Sequence, residues 1–83
     1  MSLAVPRLLR LRGYLFWFGS ADGGEPPHVH VAGNGGRTKV WLTPALHWAK
    51  RGHYDRRRLE EIERIVGANR EEWLEAWHGF FRR

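Results

Sequence analysis

Short apolar runs of β character fill residues 5–43, and helical periodicity takes over from residue 56. Val5 to Arg12 reads as a first strand, with Pro6 near its start, where a missing N–H is tolerated. Gly13 marks a turn or bulge. Tyr14-Leu15-Phe16-Trp17-Phe18 is aromatic on both faces and too short for a stable helix, so it predicts a central strand. Gly19 to Pro27 is rich in Gly, Pro, Ser and Asp and reads as loop. Pro27 restricts Pro26 to an extended conformation, so the chain reaches residue 28 already straight.

Val29-His30-Val31-Ala32 and Thr38-Lys39-Val40-Trp41-Leu42 flank Gly33-Asn34-Gly35-Gly36. Asn-Gly between alternating runs predicts a hairpin. A two-residue turn or a four-residue loop gives the same pairing: Val29 faces Val40, Val31 faces Thr38, His30 faces Lys39 and His28 faces Trp41. One face then carries His28, His30, Lys39 and Trp41. The other carries valines and faces the core.

Thr43 to Tyr54 is ambiguous, interrupted by Pro44 and Gly52, with a short strand or one helical turn between them. Asp55 is a good N-cap for a helix opening at Arg56. Leu59, Ile62, Ile65 and Val66 form its apolar stripe. Gly67-Ala68-Asn69 reads as a stop and restart, and Trp73, Leu74, Trp77, Phe80 and Phe81 form the stripe of a second helix. Residues 59, 62, 66, 73, 77 and 80 also lie on one continuous stripe, the mark of a single long helix. The two-helix reading is preferred. The expected fold is therefore α+β: a small antiparallel sheet of three or four strands, then two C-terminal helices packed on one face. At 83 residues one domain spanning 1–83 is expected, with strands over about 5–43 and helices over about 56–81.

Charge changes this picture. Residues 1–58 hold ten Lys/Arg against three acids, while residues 59–83 hold four Arg against six Glu. The excess of cations on the strand-forming part suggests an anionic partner: nucleic acid, an acidic protein or a phosphate ligand. Arg56-Arg57-Arg58 opens a helix, where the macrodipole disfavours cations, so it reads either as a contact for anions or as a solvated face paired with Glu60 and Glu61. Arg7, Arg10 and Arg12 deter edge-to-edge pairing if the first strand is an edge. The chain has no cysteine, which excludes disulfides and thiolate metal sites. No apolar run is long enough to span a membrane, and Met1 to Arg12, broken by Pro6 and arginines, lacks the core of a secretory signal. A cytoplasmic protein is expected. Neither Ser2 nor Ser20 lies in a nucleophile motif, and there is no P-loop or dinucleotide fingerprint.

The candidate chemistry sits at Gly23-Gly24-Glu25-Pro26-Pro27-His28-Val29-His30-Val31. Two imidazoles two apart on a strand lie roughly 6–7 Å apart with parallel Cβ vectors. They can chelate a divalent metal, or act as catalytic acid and base on a reacting phosphate. A metal needs a third ligand, from Asp22, Glu25, His47, His53 or His78. Lys39 opposite His30 repels a cation and favours an anion. The preferred reading is an anion-binding face on which His28 and His30 are catalytic and Lys39, Arg37, Trp41 and Glu25 contact or frame the anion. No cofactor is required, though a divalent metal through His28 and His30 is the alternative. Trp41 could stack a base, or simply cover the sheet. The aromatic stripe of residues 73–81 is core, or a homodimer surface if the sheet cannot cover it.

The motif Arg-x-x-Gly-Tyr-x-Phe-x-Phe (Arg10 to Phe18), the Gly23 to Val31 stretch, Lys39-Val40-Trp41-Leu42, Ile62-Glu63-Arg64-Ile65-Val66 and Glu75-Ala76-Trp77-His78 together resemble a family of small bacterial proteins, catalogued as domain of unknown function 4160. The resemblance covers nearly the whole chain, and its Glu-Pro-Pro-His-Val-His core is specific. The Arg56-Arg57-Arg58 opening is longer and richer in arginine than the family pattern. The resemblance implies no particular reaction. It implies a member of a gene pair of the toxin–antitoxin kind, either directed at RNA or holding a partner protein without catalysis.

Overall fold

The computed structural model describes residues 7–82. Five strands run in chain order: β1 (Arg7–Leu11), β2 (Tyr14–Trp17), β3 (His28–Gly33), β4 (Gly36–Trp41) and β5 (His47–Lys50). They form one antiparallel sheet in which each strand lies beside its sequence neighbour. One helix, α1 (Arg56–Phe81), follows. Val5 and Pro6, expected at the start of the first strand, lie outside the described residues. Among the described residues no helix is long and apolar enough to cross a membrane.

Two parts of the expected fold are corrected. Three or four strands become five, because His47–Lys50 pairs with β4 through Lys39↔Lys50, Val40↔Trp48 and Trp41↔His47. Between Pro44 and Gly52 the sequence leaves a short strand and a helical turn equally open, and the structure shows the strand, four residues long. The two C-terminal helices become one. A mid-helix glycine costs about 1 kcal/mol, whereas each large apolar side chain buried on the stripe returns about 1.5–3 kcal/mol. Ile62, Val66, Trp73 and Trp77 are all buried, so the stripe runs unbroken past Gly67. Asn69 does not start a new helix. Its side-chain amide donates back to the Ile65 carbonyl at 2.8 Å, the i−4 bond of a polar residue inside a helix.

Asp55 caps α1, its carboxylate accepting from the Arg58 N–H at 2.9 Å. There is no acid in the first turn, where three arginines oppose the macrodipole. Asp55 is therefore the acid that meets the free N–H groups of the first turn, and Asp55→Ala is expected to lower stability by about 1–2 kcal/mol. Urea titration should show a lower midpoint at an unchanged slope. A midpoint equal to that of the parent would mean that water satisfies the end equally well.

The β3–β4 hairpin has the expected register in full, from His28↔Trp41 to Gly33↔Gly36. Its turn is the two-residue form, with Asn34 at φ 49° and Gly35 at φ 83°. The Pro27 carbonyl accepts from the Leu42 N–H and extends the ladder by one more pair. A similar turn, Arg12-Gly13, joins β1 to β2. The Asn34 side chain donates to the Arg12 carbonyl at 2.8 Å and ties the two turns together. The Tyr54 hydroxyl lies 2.6 Å from the Gly33 carbonyl and 2.8 Å from that of Gly36, closing the same end of the sheet.

The core lies between one face of the sheet and α1. Tyr14, Phe16, Val29, Val31, Val40 and Leu42 meet Ile62, Val66 and Trp73 there. Arg70 fastens the helix to the chain leaving β4, donating to the Leu42 carbonyl at 2.6 Å and the Pro44 carbonyl at 3.1 Å. Phe18 packs against Trp77, Phe80 and Phe81, so the aromatic end of the helix finds partners within the chain.

Candidate metal centre

The segment expected to be loop contains a short 3-10 helix, Ser20–Gly24. Asp22 organises it. Its N–H donates to the Gly19 carbonyl, and its own carbonyl accepts from the Glu25 N–H. Its carboxylate Oδ2 accepts from the Gly19 N–H at 2.8 Å. This tight turn folds the carboxylate back over the start of β3. Gly23 lets the turn sit under the helix, since a Cβ there would stand 2.7 Å from the Phe81 ring.

Asp22 thereby meets both histidines. Its Oδ2 lies 3.0 Å from His30 Nε2, and its Oδ1 lies 3.4 Å from His28 Nε2. One ligand atom from each of the three residues falls within 4.8 Å of the others. The imidazoles stand nearly perpendicular, with centroids 5.0 Å apart. Burial pushes the Asp22 carboxyl upward, but the Gly19 N–H and the two imidazoles outweigh it and hold it below its ordinary value.

His28 is fully buried. Trp77 and Trp41 pack on its ring, at centroid distances of 5.0 and 5.3 Å. Its Nδ1 lies 2.9 Å from the Pro26 carbonyl. A carbonyl only accepts, so Nδ1 carries a proton. Nε2 points at the Asp22 carboxylate, 3.4 Å away, and has no hydrogen-bond partner. A buried polar atom without a partner is costly, and a cation between this nitrogen and the carboxylate would satisfy both. Fixing of Nδ1–H by a backbone carbonyl is also the usual way in which a metal-ligating histidine is oriented.

Glu25 and Lys39 occupy the other side of His28. Glu25 Oε1 lies 3.7 Å from His28 Nδ1 and accepts from Lys39 Nζ at 2.6 Å. That hydrogen bond holds the Glu25 carboxyl below its ordinary value. The ammonium also sits 4.5 Å above the Trp41 ring. The Lys39 charge, which reads in the sequence as an obstacle to a cation, is thus balanced locally by Glu25. Arg37 is exposed on the same strand. His47, His53 and His78 are exposed and stand outside the cluster.

Sequence reasoning names the histidine pair but leaves the third ligand among five residues. Asp22 is singled out only by the 3-10 turn, for which Ser-Ala-Asp-Gly-Gly is a weak signal. Two further neighbours had no signal at all. Trp17 packs on His30 at 5.3 Å from the neighbouring strand, and Trp77 comes from the far end of the helix.

Among comparisons with known proteins, one family profile, described as Domain of unknown function (DUF4160), matches residues 13–78. No curated protein and no solved structure matches the chain.

Proposed function

The chain belongs to the DUF4160 family, whose description names no activity, and from its geometry we propose that Asp22, His28 and His30 form a divalent-metal centre. The observation that carries this reading is the buried, unpartnered Nε2 of His28, aimed at the Asp22 carboxylate. Two imidazoles and one carboxylate suit zinc, iron(II), manganese or nickel, and hard calcium or magnesium less well. Three ligands leave at least one coordination position for water or a substrate oxygen. His30 is partly exposed while His28 is not, so that position opens on the His30 side.

His30 Nε2–H donates to Asp22 Oδ2, and an ion entering between the three side chains displaces that proton. The carboxylate between the rings favours a cation over an anion at this spot. The Glu25–Lys39 pair lies on the Nδ1 side of His28 and supplies no ligand on the Nε2 side.

Titration of chelator-treated, untagged protein with Zn2+ and Co2+ tests the proposal. One equivalent should bind with a Kd of about 1 μM or below, and bound Co2+ should give the intense visible bands of a four-coordinate site. Absence of saturable binding, or an unchanged stoichiometry in Asp22→Ala, would refute it.

A further inference from the structure

The helix covers one face of the sheet, and the register sets a second group of side chains on the other. Trp17, His30, Lys39 and Lys50 pair in one row across β2, β3, β4 and β5. Arg37 and Trp41 lie two positions either side of Lys39, and Arg10 pairs with Leu15, two before Trp17. Side chains two apart on a strand share a face. The helix-free face therefore carries Arg10, Arg37, Lys39 and Lys50 around Trp17 and Trp41. None of the five strands contains an acid, and the loop carboxylates that reach this face, Glu25 and Asp22, meet only Lys39 and the histidines, leaving Arg10, Arg37 and Lys50 unpaired among the described residues. A shallow concavity of about 250 Å3 opens at its middle, lined by Trp17, His30, Arg37, Lys39 and Lys50.

We infer that this face binds single-stranded nucleic acid. Three features select that occupant. The first is extent. From β1 to β5 is four interstrand steps, about 19 Å in all, so the cations are spread too widely for one phosphate and suit a chain of them. The second is the alternation of cations with indole rings, because a strand with free bases uses both, stacking bases on the rings and placing phosphates on the cations. An acidic peptide would use the charges alone. The third is availability. Arg37 and Lys50 are exposed and make no ion pair among the described residues, so their charge is not already spent inside the fold. The inference stands apart from the metal reading, since it needs neither Asp22 nor His28.

The test is fluorescence anisotropy of a labelled oligouridylate of about 20 nucleotides, measured in excess chelator and over a range of salt. The wild-type protein should bind, with affinity falling steeply as salt rises. Arg37→Ala/Lys50→Ala should bind about tenfold more weakly and lower the salt slope by about 1.4, two lost contacts at about 0.7 each. Trp17→Leu should also weaken binding about tenfold while leaving the slope and the affinity for duplex RNA unchanged. Circular dichroism confirms that both variants remain folded. No binding by the wild type, an unchanged slope in the double variant, or no effect of Trp17→Leu would each overturn the inference. So would polyglutamate of equal charge competing as well as the oligonucleotide, which would assign the face to an acidic protein.

Discussion

Gly33→Ala is expected to lose about 4 kcal/mol of stability or more, against a total of about 4–12 kcal/mol for a chain of this size. Gly33 ends β3 at φ 118°, a conformation that an alanine adopts only under strain. A Cβ there would stand 2.0 Å from the Gly13 carbonyl oxygen and 3.1 Å from the Tyr14 Cα. Both are backbone atoms of the neighbouring strand and turn, so no side chain can swing aside. Relief requires β2 and β3 to part at Tyr14↔Gly33, where the Tyr54 hydroxyl also reaches the Gly33 carbonyl. Gly35 is the control. Its φ is 83°, yet nothing lies within 4 Å of an added Cβ. Gly35→Ala should cost only the backbone term, about 1–2 kcal/mol. Urea midpoints measured on the two variants decide the matter, and equal losses would refute the clash.

The second large effect is expected at His28. Zinc at about 100 times its Kd should stabilise the parent protein by about 2.7 kcal/mol. In His28→Leu that gain should vanish, with zinc affinity falling by about 100-fold or more. In chelator the same variant should be no more than about 1 kcal/mol less stable than the parent. Leucine removes an unpartnered buried nitrogen whose desolvation costs about 1–3 kcal/mol, and this offsets most of what is lost with the ring contacts to Trp41 and Trp77 and the hydrogen bond to the Pro26 carbonyl. Thermal or urea unfolding with and without zinc reads both quantities. A variant weakened equally in the two conditions, with its zinc response intact, would make His28 a packing residue.

The hairpin at residues 28–41 was legible because two independent signals agree there. Asn34-Gly35 specifies the turn, and the Val/His alternation specifies which face is buried. The helix N-terminus at Asp55 was legible for the same reason, with a cap preceding a periodic run. The misread parts are those where a local signal met a stronger distant one. Gly67 and Asn69 are poor helix residues, yet the helix continues because the stripe beyond them, Trp73 and Trp77, gains more from the sheet and the His28 ring than the glycine costs. β5 stays ambiguous between a strand and a helical turn because four residues between two breakers carry no periodicity to measure. The site divides in the same way. His28 and His30 announce themselves by spacing, whereas Asp22 acquires its place from a turn that returns its carboxylate across six residues of chain. Lys39 was visible, but the Glu25 that balances it became a partner only through the rigid Pro26-Pro27 approach to β3.

The order of the strands bears on how quickly the chain finds its fold. Each strand pairs with the one made just before it, so every step of sheet assembly closes a short loop at small entropic cost. The longest of these loops, between β2 and β3, is the one that carries Asp22. Only the helix must bring remote sequence together, laying residues 62–77 across strands that begin some fifty positions earlier. A sheet built in this way zips from its β3–β4 hairpin outwards, ahead of helix docking, and should fold quickly for a protein so rich in strands.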